Sequence, residues 1–408
     1  MKKYKETLKQ CLVRLGLYPL AHIVYSFYRN LKKSVVSAFF AFFPIQENKI
    51  VFDNFVGRGY GDNPKYIAEE IFKRNLPYAI VWLVRDMNAD MPHGIQKVRY
   101  GSLAAFKELA TAHMWISNVR NTEHPKKRKG QIYLQTWHGG GIPFKWIEGQ
   151  APNLSRDYIR AAREDGRICD AILASSAYVM NIMQNSFWIN SRAEYLKFGA
   201  PKDDILYCPE QMREVAAKLR AYYRISEDVG VIIYLPTFRD KNDSGDYGLD
   251  FGRVIDVFEK KYQRDFVLMV RFHPNATHLA DKIPDTDKII NATSYPEANE
   301  LYSIADALIT DYSAVIIPFS LLRKPVFRFT PDLEQYRRER GLAPIYDLLP
   351  CSLARNNGEL ERNILHFDRN QYDTEWANFR EQFQSYEDGH AAEKTVDWIQ
   401  SKLSGGCA

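Results

Sequence analysis

The second half of the chain reads VGVIIYL at residues 229–235, FGRVIDVFEKKYQ at 251–263 and DFVLMVRF at 265–272. The first and third stretches are apolar runs, which are typical of strands covered on both faces. The middle stretch repeats apolar residues every three or four positions, which predicts an amphipathic helix. Together the three stretches predict a βαβ unit and therefore a parallel sheet with helices on its faces.

The same alternation extends in both directions from this unit. Further strand patterns lie at 48–55, 78–84, 113–118, 131–137, 171–176, 287–291, 307–310 and 325–329. Further helical patterns lie at 61–75, 102–112, 212–225, 296–305 and 313–323. Asn63 is expected to cap the helix at 61–75, with Pro64 at its first helical position. We predict two doubly wound, Rossmann-like α/β domains, at 48–225 and 226–408, and the terminal helices could pack back on the first domain.

Size and composition agree with two globular domains. The chain has 408 residues, of which 46% are hydrophobic and 26% charged, and this excludes a disordered or fibrous protein. A formal net charge of +5 is too small for a dedicated nucleic-acid binder, so no nucleic-acid partner is expected. The five cysteines are scattered without a CxxC pair, which argues against a zinc ribbon and indicates a reducing compartment.

Residues 1–47 differ from the rest of the chain. Residues 1–33 contain eight Lys or Arg and one acidic residue, interleaved with large apolar side chains. This pattern predicts a basic amphipathic helix in the headgroup region of an anionic membrane. The alternative is a helical hairpin packed on the body with a solvated basic face. The apolar run at 35–45 is too short to span a bilayer, and no signal peptide is convincing.

Four predicted strands end in residues that can perform chemistry. HGGG follows the strand at 131–137, PTFRD follows 229–235 and DYS follows 307–310, while the strand at 265–272 leads into His273. Ligands of open α/β sheets bind beyond the carboxyl ends of the strands. These four strand ends therefore predict a binding or catalytic site.

Two of these ends contain histidine. His138 precedes three glycines, which predicts a general base beside a phosphate cradle or, alternatively, a turn with a satisfied histidine. Arg271 and His273 flank Phe272, so both side chains point to one face and suit a pyrophosphate. The alternative is a salt-bridged arginine and a turn histidine before Pro274.

The remaining patterns have ordinary alternatives. Ser313 begins the helix predicted at 313–323, where it is either a plain N-cap or part of a phosphate site at the helix N-terminus. The sequence DTD at 285–287 could bind a metal, but turn chemistry explains it better. The basic run at 126–129 is either a solvated loop or a surface for an anionic acceptor. We expect no metal site and no cofactor.

Several segments together resemble one family. QTWHGGG (135–141), YLPTFRD (234–240), RFHP (271–274) and TDYSAVIIPFSLLRKPV (310–326) with DLEQYRRERG (332–341) resemble the teichoic acid polymerases, or CDP-glycerol glycerophosphotransferases, in the family's order. GRGYGDNPKYIAEEI (57–71) and DGHAAEKTVDWI (388–399) resemble two further family segments. The resemblance implies a GT-B fold and transfer of a polyol phosphate from a CDP-activated donor. The implied acceptor is a lipid-linked glycan or a polyol-phosphate chain at the cytoplasmic face of the membrane.

The resemblance also implies roles for single residues. The two histidines of the family, which we expect to be catalytic, fall on His138 and His273. The residues expected to bind the donor fall in the matching segments: Arg271, Ser313, Asp311, Thr237, Arg239 and Asp388. The residues expected to bind the acceptor follow the first histidine: Gly139, Gly140 and Lys145. After Gly139 the family commonly reads TPLK whereas this chain reads GGIPFK, so the identity of the polyol stays open.

We therefore expect an acceptor hydroxyl to attack the β-phosphorus of CDP-glycerol, or of CDP-ribitol, while His138 removes the proton and CMP leaves. One alternative is a GT-B glycosyltransferase that uses a nucleotide sugar. Another is a non-catalytic membrane-bound module that only binds anionic polymer. The expected partners are the CDP-polyol, the acceptor and an anionic membrane surface.

Overall fold

The computed structural model describes residues 18–120, 124–138, 154–239, 247–273, 276–284 and 286–404. Within these ranges the first sheet contains β1 (Gln46–Asp53), β2 (Ala79–Val84), β3 (Ile95–Arg99), β4 (Ala112–Ser117), β5 (Ile132–Gln135), β6 (Ala171–Leu173) and β7 (Glu194–Leu196). Its strand order is β3-β2-β1-β4-β5-β6-β7. The pairs β1–β2, β2–β3, β5–β6 and β6–β7 are parallel.

The second sheet contains β8 (Gly230–Leu235), β9 (Phe266–Val270), β10 (Ile289–Asn291), β11 (Ala307–Thr310), β12 (Val326–Phe329) and β13 (Ser352–Ala354). Its strand order is β10-β9-β8-β11-β12-β13, and all five neighbouring pairs are parallel. In each sheet the order reverses once, between β1 and β4 and between β8 and β11. The prediction of two doubly wound α/β sheets is confirmed.

The α-helices of the described residues are, in chain order, α1 (Tyr18–Phe40), α2 (Asp62–Lys73), α3 (Leu103–Thr111), α4 (Arg156–Ile168), α5 (Ala177–Ser186), α6 (Pro209–Tyr223), α7 (Phe251–Tyr262), α8 (Ala298–Leu301), α9 (Ile316–Ser320), α10 (Leu333–Arg340), α11 (Asn357–Leu365), α12 (Arg369–Phe383) and α13 (Ala391–Ser404). Short 3₁₀ helices occupy Pro201–Tyr207, Thr277–Lys282 and Pro344–Leu348. None of the helices in the described ranges combines the length and the hydropathy that a membrane span requires.

Grouped by their contacts, the residues form two compact units. The first contains Met1–Gly59, Pro77–Ile116 and Asn121–Tyr133, and the second contains Tyr60–Leu76, Ser117–Arg120 and Leu134–Ala408. The candidate site residues discussed below all belong to the second unit. The domain boundaries 1–47, 48–225 and 226–408 stay a prediction.

The second sheet has a continuous apolar core. Fully buried side chains of β8, β9 and β11, among them Ile232, Leu268 and Ile309, belong to one cluster with residues of α7 and α11. The helix α7 begins after Asp250, whose carboxylate accepts a hydrogen bond from the amide of Arg253 at 3.0 Å. This cap satisfies an amide that the helix cannot satisfy itself, while the apolar face of α7 is buried on the sheet.

The helix predicted at 313–323 is shorter than expected. The α-helix α9 contains five residues, Ile316–Ser320, so the prediction that Ser313 begins a helix is wrong. The amides of Ile316 and Ile317 bond to the carbonyls three residues before them, at 3.4 and 3.3 Å, as in a 3₁₀ turn. Pro318 has no N–H group for the carbonyl of Ala314, which removes one α-helical bond of the predicted first turn. The helix predicted at 296–305 is likewise reduced to the four residues of α8.

The predicted cap of α2 is also wrong. The helix begins at Asp62, and its N-cap is Gly61, which has no side chain that could cap it. Asn63 lies inside the helix, where its amide group donates to the carbonyls of Thr136 and Trp137 at 3.3 and 3.0 Å. Its side-chain oxygen accepts from the amide of Lys202 at 3.1 Å. Asn63 therefore forms tertiary contacts instead of a local cap.

Candidate active site

The residues after β8 and β11 meet at the carboxyl edge of the second sheet, where the strand order reverses. The carboxylate of Asp311 accepts from the amide of Thr237 at 2.9 and 3.0 Å and from its hydroxyl at 2.6 Å. It also lies 2.9 Å from Nη2 of Arg239. Because Leu235 and Thr310 are paired across the two strands, the residues that follow them are adjacent. Three predicted donor-binding residues are thus joined in one network.

Arg239 is bound by a second carboxylate that the sequence analysis missed. Its Nε lies 2.6 Å from Oδ2 of Asp332, and its guanidinium lies over the rings of Tyr247, Tyr312 and Tyr336 at 5.2, 4.8 and 5.1 Å. Burial alone would lower the pKa of Arg239, but the two carboxylates raise it above the ordinary value. Its charge is therefore balanced within the protein, and the residue fixes the loop after β8 at the sheet edge.

Arg271, after β9, has a different environment. Its Nε and Nη2 donate to the carbonyls of Tyr295 and Pro296 at 3.2 and 3.0 Å. Burial lowers its pKa, whereas Tyr302, Glu297 and Tyr223 oppose this shift. Carbonyl oxygens orient a guanidinium without cancelling its charge, so Arg271 brings positive charge to this edge of the sheet.

His273 follows two residues later, as the strand pattern predicts. Phe272 is buried in the core with 1% exposure, whereas His273 is exposed and its ring centroid lies 6.4 Å from that of Phe238. The loops after β8 and β9 therefore touch beside this histidine.

Ser313 and Asp388 lie in different surroundings. The hydroxyl of Ser313 accepts from the amide of Val315 at 3.4 Å in the turn before α9. Asp388 is exposed and bonds to Lys394 and to the amide of His390. The neighbouring Glu387 accepts from the amide of Ala200 at 3.1 Å. Asp388 is therefore beside the segment that contains Lys202.

His138 follows β5 in the first sheet, and its ring is held by a carbonyl. Nδ1 lies 2.7 Å from the carbonyl oxygen of Asn118, which is buried and follows the neighbouring strand β4. A carbonyl only accepts, so Nδ1 carries the hydrogen and the lone pair of the neutral ring is on Nε2. Gly139, Gly140 and Lys145, which we expect to bind the acceptor, lie outside the described residues.

The surroundings of His138 favour the neutral form of its ring. Burial lowers its pKa below the ordinary value, Lys202 and Arg120 lower it further, and the Asn118 carbonyl and Asp62 oppose the shift. A neutral imidazole with its lone pair on Nε2 has the form that a general base requires.

A buried ion pair adjoins His138. Nζ of Lys202 donates to the carbonyl oxygen of His138 at 2.8 Å and to Oδ2 of Asp62 at 2.9 Å. The side-chain amide of Asn118 donates to the other oxygen of Asp62 at 3.1 Å. Lys202, Asp62 and Asn118 were not predicted as site residues, although Asn118 directly follows a strand and Asp62 lies in one of the segments that resemble the family.

Hydrogen bonds connect this group with Arg271. The amide of Asp62 donates to Oε1 of Glu297 at 3.0 Å, and the side chain of Asn299 donates to the Lys202 carbonyl at 2.9 Å. Glu297 directly follows Pro296, whose carbonyl binds Arg271. The two predicted motifs, at His138 and at Arg271, are therefore linked by bonded neighbours within the second unit.

An apolar cavity of about 330 Å³ lies elsewhere in this unit. Its walls come from α5, from the 3₁₀ helix at Pro344–Leu348 and from α12, and no charged side chain is among the described residues that line it. Such walls offer no compensation for a buried pyrophosphate, so the cavity is not the candidate site.

Comparison with known proteins identifies the family. The sequence pattern of the CDP-glycerol:poly(glycerophosphate) glycerophosphotransferases matches residues 35–401. The chain belongs to this family. It is therefore a transferase of the glycerophosphotransferase class, and the enzyme class that the sequence resemblance implies is confirmed.

Three relatives show how far the similarity extends. A teichoic acid poly(glycerol phosphate) polymerase of Staphylococcus epidermidis is 27% identical over 378 residues, which are 88% of this chain and 51% of that protein. A teichoic acid glycerol-phosphate transferase of Staphylococcus aureus is 28% identical over 367 residues, which are 86% and 93%. The solved structure of the wall teichoic acid polymerase TagF has a TM-score of 0.79 at 25% identity and covers 97% of this chain and 99% of its own. The chain spans about half the length of the first relative and nearly all of the second.

This glycerophosphotransferase has the two-sheet architecture of TagF, so the GT-B fold that the resemblance implies is confirmed. A TagF variant has also been solved after a soak with CDPG, at a TM-score of 0.79. Among the residues that the structure describes, no three His, Cys, Asp or Glu side chains group as metal ligands would. Asp285 of the DTD sequence lies outside those residues, so the absence of a metal there stays a prediction.

Proposed function

We propose that this chain transfers glycerol phosphate from CDP-glycerol to a hydroxyl group of a lipid-linked glycan or polyol-phosphate chain. The observation that carries the proposal is the His138 ring, whose Nδ1 is bound by a carbonyl 2.7 Å away so that Nε2 can accept a proton. Family membership over residues 35–401 supports the donor class.

The reaction is an in-line displacement at phosphorus. The acceptor oxygen forms a bond to the β-phosphorus, its proton passes to Nε2 of His138, and the bond from that phosphorus to the bridging oxygen breaks. CMP leaves with the electron pair of this bond. The protein's task is mainly to place the two reactants and to neutralise charge on the pyrophosphate.

Residues of the second sheet would bind the donor. Arg271 brings a charge that its carbonyl partners do not cancel, and His273 is exposed two residues later. The network of Thr237, Arg239 and Asp311 would shape the loop against which the nucleotide lies. The hydroxyl of Ser313 accepts from the amide of Val315 and can still donate its own hydrogen to the donor. We propose that these groups suffice without a metal or another cofactor.

The site of action would be the cytoplasmic face of the membrane, with α1 as the peripheral contact. Its side chains Leu20, Val24, Leu31, Val35 and Phe39 are each more than half exposed, at a spacing that places them on one helix face. An exposed apolar stripe of this kind suits the boundary between headgroups and acyl chains.

Basic residues accompany the apolar stripe of α1. The amide of Lys126 donates to the Ser37 hydroxyl at 2.9 Å, and Arg128 donates to the carbonyl of Phe43 at 2.8 Å. Arg128 therefore anchors the turn that follows α1, while Lys126 and Lys129 are exposed and available to anionic headgroups. Residues 1–17 of the predicted membrane segment lie outside the described residues.

The proposal is tested by offering purified protein a lipid-linked acceptor with CDP-glycerol, CDP-ribitol or a UDP-sugar. We expect CMP release with CDP-glycerol, a product whose mass has grown by glycerol phosphate, and no loss of rate with EDTA. Growth by ribitol phosphate would correct the polyol. Consumption of the UDP-sugar would favour the glycosyltransferase alternative, and polymer binding without turnover of any donor would favour the non-catalytic alternative.

A further inference from the structure

One carboxylate holds His138 at two points. Asp62 accepts from the ammonium of Lys202, which also donates to the carbonyl of His138. Asp62 also accepts from the side chain of Asn118, and the backbone carbonyl of Asn118 accepts from Nδ1 of the His138 ring. The backbone and the imidazole of His138 are therefore both positioned from the same group.

The members of this arrangement are themselves fixed. The amide of Lys202 donates to Asn63 at 3.1 Å, and its carbonyl accepts from Asn299 at 2.9 Å. The side chains of Lys202 and Asp62 are only 13% and 12% exposed. Water and salt screen such a pair far less than a surface pair, so its charges act strongly on their neighbours.

The charges that face His138 come from three elements. Asp62 lies on α2, Lys202 on the 3₁₀ helix Pro201–Tyr207, and Arg120 follows β4. Asp203, next to Lys202, is directed to the side chain of Asn299 at 2.5 Å. Without Asp62, the histidine would therefore face two cations. Without Lys202, it would face one cation and one carboxylate.

We propose that Asp62 and Lys202 are positioning residues for proton transfer at His138, which fix the ring through Asn118 and set the charge against which the imidazolium forms. The inference rests on the proposed function, in which Nε2 accepts the acceptor's proton. When that proton arrives, the ring becomes cationic, Asp62 stabilises it and Lys202 opposes it. The proton passes to solvent after CMP has left.

Neutralising either member of the ion pair should shift the pH profile of kcat/KM, in opposite directions for the two members. In Asp62→Asn, the cations are no longer balanced, so the acidic limb of the kcat/KM profile moves to lower pH. In Lys202→Met, the carboxylate is no longer balanced, so the limb moves to higher pH. The double variant returns the limb toward its original position. We expect kcat to fall on the order of 10–100-fold in each single variant, because the ring loses its fixed orientation, while KM for the donor stays about the same.

Matched controls use an ion pair that lies far from His138 and is more exposed than the pair of Asp62 and Lys202. Lys288→Met and Glu259→Gln break a pair of 2.7 Å on the surface and should leave the profile unchanged. A purely structural role for Asp62 and Lys202 would lower activity without moving the limb in opposite directions, and that result would overturn the inference.

Conservative variants keep the inference testable if the neutral ones do not fold. Asp62→Glu and Lys202→Arg preserve charge but change length, so kcat should fall while the limb and the donor KM remain. Normal kcat in both would overturn the inference. A failure of the proposed function would be seen separately. Normal turnover by His138→Ala would show that His138 is not the general base. An inactive His138→Ala combined with an unmoved limb would remove only the positioning role.

Discussion

Two arginines show how the surroundings of a residue decide what it can do. Arg239 and Arg271 follow neighbouring strands, and the sequence assigns both to the donor. Arg239 lies within 2.9 Å of two carboxylates, so it is committed to holding its loop. Arg271 is bound by two carbonyls and keeps its net charge. The sequence predicts that both residues carry a positive guanidinium group. It could not predict which partners neutralise that charge, because Asp332 and the carbonyl of Pro296 are distant from the two arginines along the chain.

At the residue scale, the first prediction concerns His138. We expect His138→Ala to reduce the rate of CMP release by about 10²–10⁴-fold, because a positioned base is lost. Burial lowers the pKa of the ring from its ordinary value of 6.5, so the neutral form persists to more acid pH. The acidic limb of the wild-type rate profile should therefore lie below pH 6.5.

The measurement is CMP release between acid and neutral pH, with a melting curve for each variant. The control is His93→Ala, which changes an exposed histidine and should leave the rate intact. An acidic limb above the ordinary value of 6.5 in the wild-type enzyme would contradict the expected effect of burial.

At the scale of elements, periodicity predicted most of the strands and only some of the helices, and the ends of the predicted elements depended on other contacts. The apolar pattern of 313–323 predicts a helix, but the α-helix α9 contains only Ile316–Ser320. Pro318 has no N–H group, and the amides of the two residues before it bond to carbonyls three positions earlier, as in a 3₁₀ turn. Asparagine is a residue type that favours helix N-caps, but the side chain of Asn63 donates to the carbonyl of Trp137 instead. The strands β3, β7 and β13 and the helices α4, α5 and α10 to α13 were not predicted from the sequence.

The exposed apolar stripe of α1 predicts binding to anionic membranes. Replacing Leu31, Val35 and Phe39 by serine should reduce flotation with vesicles that contain anionic phospholipid, because the apolar stripe loses its buried area in the membrane. Tyr222→Ser changes an exposed apolar residue on α6 and is the control. Equal flotation of the triple variant and the control would show that another part of the chain makes the contact.

At the scale of the whole molecule, a carboxylate within the second unit holds the start of the helix α13. Asp204 accepts from the amides of Ala391 and Ala392 at 2.9 and 2.8 Å. Burial raises its pKa to about 6, although the two amides oppose the shift. Residues almost two hundred positions apart are thus joined by a group whose charge is unfavourable in the fold.

This attachment predicts a pH dependence of stability. A raised pKa means that the folded protein binds the proton more tightly than the unfolded chain, so the contribution of Asp204 is greatest in acid and is lost as the pH rises through about 6. The advantage of the wild type over Asp204→Asn should therefore shrink by roughly 2–3 kcal/mol between about pH 4 and pH 7. Denaturant unfolding at both pH values measures it, with Asp281→Asn at an exposed position as the control. A constant difference would contradict the prediction.

The α/β class, the two parallel sheets and the strand ends that carry His138, Arg271, His273 and Asp311 could be predicted from the amino-acid sequence alone. These follow from local periodicity and from the rule that ligands lie beyond the carboxyl ends of strands. Three features became visible only in the folded chain: Asn118 fixes the tautomer of His138, Lys202 and Asp62 adjoin this histidine, and Arg239 is neutralised while Arg271 is not. Hydrogen bonds and ion pairs act over a few ångströms in space, and positions in sequence do not record which distant groups come within that range.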